Sequence, residues 1–428
     1  MRAPIRGLRW YIVGLLCLAS GLNYMDRQTL SVLAQTIQDD LRLTDIQYSH
    51  ITSAFLVSYT IMYAVSGRLV DLLGTRRSFQ IFVSGWSVAN ALHAFARTAL
   101  EFSCFRFLLG ATESANFPAG VKAVTEWFPM RERALAVGIF NSGTAVGAAL
   151  AAPLVSFVAL RWGWRSAFVV GGLLGFVWLV GWSVLYRLPR EHRRLDPREL
   201  EFIESDAPAA ETAAPAFSLR VLATRECWGC ILARMITDPI SYFFIFWIPK
   251  FLQEKRGFDL AALGKYGWIP FVAAAAGNIL GGALPNRLIQ RGWTLNRARK
   301  TVMLAASLMM PVACLLTIRV PNPALAVAAI SVAMACHGAW ANMTLPAEVF
   351  PHQWVGTVSG LAGMMGGLVG VGTQLAIGWT VQHGSFTPAF VVASFAHITA
   401  FAVVCMLISK LGHIRTLDTD SRGSRMDP

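Results

Sequence analysis

The chain has 428 residues, of which 55% are hydrophobic and only 14% charged, with a mean hydropathy of +0.51. That balance is far too apolar for a soluble protein and marks a polytopic membrane protein. The formal net charge of +13 would point a soluble chain toward nucleic acid, but here the charges lie in alternate loops, so they report membrane topology with anionic lipid as the main partner.

The periodicity predicts an all-α protein of twelve transmembrane helices: roughly 10–38, 47–72, 77–97, 99–126, 132–160, 165–187, 226–253, 261–289, 299–319, 323–349, 354–383 and 386–411. Residues 134–160, 266–286 and 349–409 contain no Asp, Glu, Lys or Arg, each stretch long enough to cross a hydrocarbon core of about 30 Å. Arg2, Arg6 and Arg9, then Arg76 with Arg77, Arg131 with Arg133, Arg190 to Arg198, Arg287 to Lys300 and Lys410 to Arg425 fall at every second loop, which places those loops and both termini in the cytoplasm. Lys250, Lys255 and Arg256, read as the loop after span 7, fit this rule least. The basic start runs into a span that is too long and too charged for a cleavable signal peptide.

Span 1 carries Asn23-Tyr24-Met25-Asp26-Arg27, two opposite charges deep in an apolar segment. An ionisable residue there costs about 2.5–3.5 kcal/mol on insertion scales and so faces a bundle interior or a water-filled path. The functional reading gives Arg27 to an anionic substrate and Asp26 to a proton; a pair that only fixes helix packing satisfies the same charges. Adjacent residues point about 100° apart on a helix, so each needs a partner elsewhere. Span 4 supplies candidates: Arg106 and Glu113, two turns apart on one face with Gly110 between them, which suggests Asp26 with Arg106 and Arg27 with Glu113. Tyr24 and Tyr59 offer hydroxyls from spans 1 and 2 or are packing residues.

Between spans 2 and 3, Gly67-Arg-Leu-Val-Asp71-Leu-Leu-Gly74-Thr-Arg76-Arg77 combines a small residue for close helix approach with an acid that can pair with a base or cap a helix. With Glu126 and Arg133 in the same layer it reads as a latch that stabilises one conformation. Span 7 has Arg234, Asp238 and Tyr242 at four-residue spacing, with Pro239 breaking the helix, which suits a gating helix or a simple intrahelical pair. His337 and Trp340 lie one turn apart on span 10, a substrate-facing pair or a satisfied core histidine beside packing. The glycines Gly138, Gly143 and Gly147 of span 5 and Gly360, Gly363, Gly366, Gly367, Gly370 and Gly372 of span 11 read as close-packing and hinge faces. Cys227-Trp-Gly-Cys230 lacks the context of a redox or metal motif, and the other cysteines read as small core residues.

Leu188 to Arg225 is the only sizeable soluble stretch. Asp196-Pro197-Arg198-Glu199 has the order of an N-cap, a first-position proline and a first-turn acid, so a short surface helix is expected, followed by an Ala/Pro-rich linker at 207–215. The linker separates two related halves: Glu126, Phe128, Pro129 and Gly138 recur as Glu348, Phe350, Pro351 and Gly360, and Ala167-Phe168 as Ala389-Phe390. Two pseudo-symmetric six-helix bundles follow, 1–187 and 226–411, joined by a cytoplasmic linker 188–225 and ending in a tail 412–428, with binding near the midplane between them.

These motifs resemble the anion:cation symporter family of the major facilitator superfamily. The resemblance rests on Asn23 to Arg27, on Arg106-Phe-Leu-Leu-Gly110-Ala-Thr-Glu113 with Asn116-Phe-Pro118, and on Trp127-Phe128-Pro129-Met-Arg131-Glu-Arg133-Ala134. Gly7 to Tyr11, Lys122 to Pro129 and Trp247-Ile248-Pro249 resemble hexuronate transporters, while Asp26 with Arg27 and Tyr59 resembles galactonate carriers. The resemblance implies proton-coupled import of a sugar-acid anion across the bacterial inner membrane by alternating access, with H+ as coupling ion, no cofactor or metal, and a monomer without an obligate protein partner. It gives Arg27 and Arg106 to the substrate carboxylate and charge network, Asp26 and Glu113 to proton uptake, and Tyr24, Tyr59 and Trp340 to the pocket. The chain departs from the pattern at Leu72 and Thr75, where basic residues are usual, and at His337, where galactonate carriers have a small hydroxyl side chain; residues 360–372 offer no polar contact from span 11. No enzyme motif of the HExxH or GxSxG kind and no phosphate-cradling loop is present. Import of an aromatic or dicarboxylic acid is the alternative, with a drug/proton antiporter less suited to two buried arginines.

Overall fold

The computed structural model describes residues 5–205, 219–340 and 345–411, which are helical throughout apart from turns and one isolated bridge between Ile5 and Leu195. The Ala/Pro linker at 207–215 and the tail at 412–428 lie outside the described residues. Twelve spans follow in order. Span 1 is Leu8–Val32 continued by Ala34–Leu41, span 2 Asp45–Leu73, span 3 Thr75–Leu92, span 4 Ala99–Glu113 continued by Asn116–Trp127, span 5 Met130–Trp162 and span 6 Trp164–Leu185. Span 7 is Arg225–Arg256, span 8 Leu260–Tyr266 continued by Ile269–Gln290, span 9 Leu295–Arg319, span 10 Pro323–Ala339 with Leu345–Val349 beyond it, span 11 His352–Gln382 and span 12 Thr387–Leu407.

Local chemistry sets the span ends. Thr44 with Gln47 and Thr98 with Glu101 form reciprocal capping boxes that open spans 2 and 4, and Thr224, Thr294 and Asn322 accept from first-turn amides of spans 7, 9 and 10, satisfying donors that a helix leaves orphaned. Leu173, Val177, Val180 and Val184 on span 6, and Leu304, Leu308, Val312 and Leu316 on span 9, recur every three or four residues and stand exposed. Only lipid hydrocarbon covers such stripes at no cost.

The packing repeats with the sequence. Span 1 lies on span 5, span 2 on span 4 and span 3 on span 6; in the second half span 7 lies on span 11, span 8 on span 10 and span 9 on span 12. The halves meet through spans 2 and 11, 5 and 8, and 1 and 7. At Gly143 and Gly147, an added Cβ would stand 2.0 Å from the carbonyl oxygens of Cys17 and Gly21, so these residues do seat span 5 directly on the backbone of span 1. Gly67, Gly138, Gly360 and Gly372 make no such close contact here, since an added Cβ meets nothing within 4 Å.

The hydrogen bonds and ion pairs that join the halves cluster on the distal face, away from Ile5 and Leu411. Ser31 donates to the Ile245 carbonyl at 2.6 Å, Tyr48 to the Phe246 carbonyl at 2.8 Å, and the Asp45 amide to Gln382 at 2.8 Å. Lys250 is no loop charge, as the sequence suggested, but a side chain of span 7 that is 2% exposed. It lies 2.5 Å from Asp45 and 2.8 Å from Glu254, and donates to Gln38. A buried ammonium is tolerated there because two carboxylates and an amide surround it. On the terminal face, Asp71 with Lys122, Glu126 with Thr75 and Arg299 with Glu348 pair within their own half.

Asp196 caps the surface helix Pro197–Glu204, and Glu199 ties that helix to the first bundle. Its carboxylate accepts from the Leu8 and Arg9 amides at 3.1 and 3.3 Å and from the Arg9 guanidinium at 2.9 Å, while Arg9 also pairs with Glu132 of span 5 at 3.0 Å. An acid at the N-terminus of span 1 meets both its orphan amides and its dipole. Glu199→Ala is expected to cost about 1–3 kcal/mol by leaving those groups unmet, read as a lower midpoint in thermal unfolding of the purified protein. Lys250→Met, which keeps the volume and removes the charge, is expected to raise hydrogen exchange at 44–52 and 375–385 on the distal face while leaving 120–135 unchanged.

Candidate functional site

Four ionisable side chains from spans 1 and 4 share one buried cluster: Asp26 is 1% exposed, Arg27 8%, and Arg106 and Glu113 0%. Arg27 and Glu113 meet as the sequence suggested, Nε to Oε2 at 2.7 Å. The guanidinium of Arg27 is also covered by three rings, Tyr59 at 4.5 Å, Tyr24 at 4.9 Å and Phe55 at 5.2 Å. Each face adds an attraction of about 0.5–2 kcal/mol that survives loss of the carboxylate. Arg27 is therefore held in place by groups that do not all have to remain charged.

The second suggested pair does not form. Asp26 accepts a hydrogen bond from Asn90 of span 3 at 2.8 Å and makes no ion pair with Arg106. Gly171 of span 6 makes room for this contact, since a Cβ there would stand 2.8 Å from the Asp26 carboxylate and 2.4 Å from Asn90. Arg106 consequently keeps Nε, Nη1 and Nη2 without any hydrogen-bond acceptor, although Asp26 and Glu113 are electrostatic neighbours. Glu113 Oε1, Asn23 Nδ2, both amide atoms of Gln28 and Asn116 Oδ1 are likewise buried without partners. A buried polar group left this way costs about 1–3 kcal/mol, more if charged, so the cluster suits a polar anion that can complete it.

Local backbone chemistry aims the span 4 pair. Gly110 lies between Arg106 and Glu113, and a Cβ there would come within 2.4 Å of the Phe55 carbonyl and the Ser58 hydroxyl. The absent side chain lets span 4 touch span 2. Directly after Glu113 the helix breaks at Ser114 and Ala115, where the sequence predicted one continuous span. Pro118 has no amide to give the Ser114 carbonyl; the Ser66 hydroxyl donates to it instead at 3.4 Å.

The second half presents fewer charges. Arg234 and Asp238 are an intrahelical pair at 2.8 Å, and that face of span 7 packs on the glycines of span 11. A Cβ at Gly366 would stand 2.4 Å from Asp238, and one at Gly370 2.6 Å from the Tyr242 ring. Both ring nitrogens of His337 are used within the protein, Nε2 with Ser241 at 2.5 Å and Nδ1 with His397 at 3.0 Å. Trp340, expected to line the pocket, is 1% exposed and packs edge-on against His397 with ring centres 5.5 Å apart. Span 11 does have a polar contact, two residues beyond the stretch searched in the sequence: Gln374 is fully buried and accepts from Trp247 at 2.7 Å and Thr52 at 3.2 Å.

The latch residues stay within the first half. Asp71 pairs with Lys122 at 3.0 Å in a largely exposed contact worth little by itself. Glu126 accepts from Thr75 at 2.8 Å and from the Tyr186 hydroxyl, and Arg133 donates to the Phe128 and Thr125 carbonyls at 3.0 and 3.1 Å. Gly67 meets no neighbour, so none of the four bridges to the other bundle here. Sequence reasoning missed Asn90, Gln374 and His397; only buried polar types inside apolar helices could have flagged them.

The family model of the Major Facilitator Superfamily matches residues 16–373. A hexuronate transporter of Escherichia coli (strain K12) is 33% identical over 95% of each chain, and a galacturonate transporter of Dickeya chrysanthemi is 36% identical over 72% of this chain and 90% of its own. Among solved structures, a bacterial homolog to the human lysosomal transporter Spinster in an inward-facing and occupied conformation has a TM-score of 0.73 at 19% identity, covering 95% of this chain and 96% of its own. The inward open xylose transporter XylE from E. coli also reaches 0.73, at 13% identity over 94% and 97%. The chain belongs to the Major Facilitator Superfamily, and its twelve-span architecture is that fold.

Proposed function

We propose that the protein imports a sugar-acid anion, a hexuronate such as glucuronate or galacturonate or else an aldonate, together with protons across the bacterial inner membrane. The observation that carries this reading is Arg106, fully buried with three guanidinium nitrogens unmet. A carboxylate matches that planar fork in a bidentate contact, which also defines the charge of the ligand. Glu113 lies seven residues further along the same face, roughly 10 Å away at the helical rise of 1.5 Å per residue. A hydroxylated acid of six carbons can span that distance, placing its carboxylate on Arg106 and hydroxyls near Glu113 Oε1 and the unmet amides of Asn23, Gln28 and Asn116. The names of the hexuronate and galacturonate transporters support the same ligand class.

Proton coupling follows from the charges. In the ionised state Glu113 holds Arg27 in an ion pair. A proton on Glu113 removes the Coulomb term and frees the guanidinium, still held by the Tyr24, Phe55 and Tyr59 rings, to serve the entering anion. Asp26, which relies on Asn90 rather than on a cation, is the second proton acceptor. The coupling ion is H+, with no cofactor.

The conformation fits one stage of alternating access. The distal face is closed by Lys250, Asp45, Tyr48 and Gln382, while Gly67, Gly138, Gly282, Gly356 and Gly360 face open space toward the terminal side. The basic loops assign that terminal side to the cytoplasm, so this is an inward-facing state, and the latch of Asp71, Glu126 and Arg133 would engage when the inside closes. The working unit is a monomer in a lipid bilayer.

In proteoliposomes, saturable glucuronate uptake that collapses with a protonophore and survives removal of sodium is expected; a panel of galacturonate, galactonate and glucarate ranks the ligands, and no uptake of any of them would overturn the reading. Arg106→Gln is expected to weaken apparent affinity by about 2–4 kcal/mol, roughly 30- to 1,000-fold. Glu113→Gln and Asp26→Asn are expected to abolish pH-driven accumulation while leaving counterflow; full accumulation in both variants would refute the coupling scheme.

A further inference from the structure

Outside the arginine cluster, spans 7, 10 and 12 converge on Ser241, His337 and His397. His397 is fully buried and its Nδ1 has no partner. His337 lies between the other two, Nε2 to Ser241 Oγ at 2.5 Å and Nδ1 to His397 Nε2 at 3.0 Å. Among the described residues neither ring forms an ion pair with an acid, and a buried charge without a partner is costly, so the chain is one of neutral imidazoles. A neutral imidazole has one donor and one acceptor nitrogen, which leaves two arrangements.

In the first, Ser241 donates to His337 Nε2, His337 Nδ1–H donates to His397 Nε2, and His397 is left with a buried Nδ1–H that has no acceptor. In the second, His397 Nε2–H donates to His337 Nδ1, His337 Nε2–H donates to Ser241 Oγ, and His397 Nδ1 is left as a bare lone pair. Each holds three protons. They interconvert only if one proton enters at Ser241 and one leaves at His397 Nδ1, an exit closed by burial. An orphaned buried N–H is rarer in proteins than an under-satisfied acceptor, so the second arrangement prevails.

We propose that His397 and His337 form a fixed-tautomer relay that makes Ser241 a directed hydroxyl donor. With its oxygen engaged by His337, the half-buried Ser241 turns its own proton away from the rings, free to meet an acceptor brought by the ligand. A sugar-acid hydroxyl or carboxylate oxygen is the matching acceptor. Ser241 contacts the ligand; His337 and His397 are positioning residues acting through it. The assignment rests on the sugar-acid reading for the identity of that acceptor, but not for the direction of the relay.

Two measurements decide it. In protein carrying 15N-labelled histidine, signals assigned by loss in His337→Gln and His397→Gln are expected to show both rings neutral with the proton on Nε2; a proton on Nδ1 of either ring overturns the relay whether or not sugar acids are transported. In counterflow with glucuronate, Ser241→Ala and His397→Gln are each expected to lower apparent affinity roughly three- to tenfold, the size of one hydrogen bond, and the double variant no further than Ser241→Ala alone. Losses that multiply in the double variant would show that His397 acts through packing and would overturn the positioning role. Failure of the wild type to exchange glucuronate or any of the other sugar acids would instead overturn the transport reading while the nitrogen spectra still decide the relay.

Discussion

Glu113 satisfies Arg27 but not Arg106, although all three side chains belong to one buried cluster, and that inequality organises the packing around it. Two cations buried in a low-dielectric layer, with only one of the two nearby carboxylates in an ion pair, would be untenable without compensation. The protein provides it unevenly: three aromatic rings and an ion pair for Arg27, and no acceptor at all for Arg106. The arginine deprived of partners is the one that an anion from outside can bind with most gain, because the protein has already met the desolvation penalty. The arginine with partners is the one whose ion pair, in the proposed coupling, a proton on Glu113 dissolves while the guanidinium keeps its charge.

Much of this was legible in the sequence because ionisable residues inside apolar helices are rare and therefore conspicuous. Asp26, Arg27, Arg106 and Glu113 stand out by type, Arg106 and Glu113 also by their spacing of seven, and the twelve spans follow from the long uncharged stretches. The pairing was not fully legible: nothing in helical geometry says that Asp26 takes Asn90 in preference to Arg106, since that choice depends on the approach of spans 3 and 6, which Gly171 permits. Asn90, Gln374 and His397 were missed for a related reason. A single amide or imidazole in an apolar helix has the same local signature whether it packs, bridges or binds, and only tertiary placement separates these uses. Lys250 was misread because its position near a helix end resembles a loop charge, while two carboxylates and Gln38 draw it into the closed face.

The glycines divide by face in a way that composition could not reveal. Those against a neighbouring backbone, such as Gly143 and Gly147, hold spans 1 and 5 together as a rigid pair, whereas Gly67, Gly138 and Gly360 present bare helix to open space. The equivalence of Gly138 and Gly360 under the internal repeat makes chance placement a poor account of their shared exposure. Both lie toward the terminal ends of spans 5 and 11, which also meet the opposite half nearer the distal face. A close-packing residue with no neighbour is intelligible if the neighbour arrives in another conformation, in which the terminal ends of these spans come together and the distal contacts part.

The closed distal face and the arginine cluster are then linked through span 1 itself. Its helix runs from Glu199 and Arg9 at the terminal face, through Asp26 and Arg27, to Ser31 and Gln38 at the contacts with span 7. Span 1 breaks at Leu33, between the charged pair and Gln38. A change in what holds Arg27 therefore acts on the inner segment of a two-part helix whose outer segment touches the Lys250 contacts. Because Ser31 and Gln38 bond to span 7 of the opposite half, displacement of that inner segment strains contacts between bundles as well as within one. The charge on Glu113 and the closure of the distal face are in this way tied by a single stretch of backbone, with no need for a longer route through the protein.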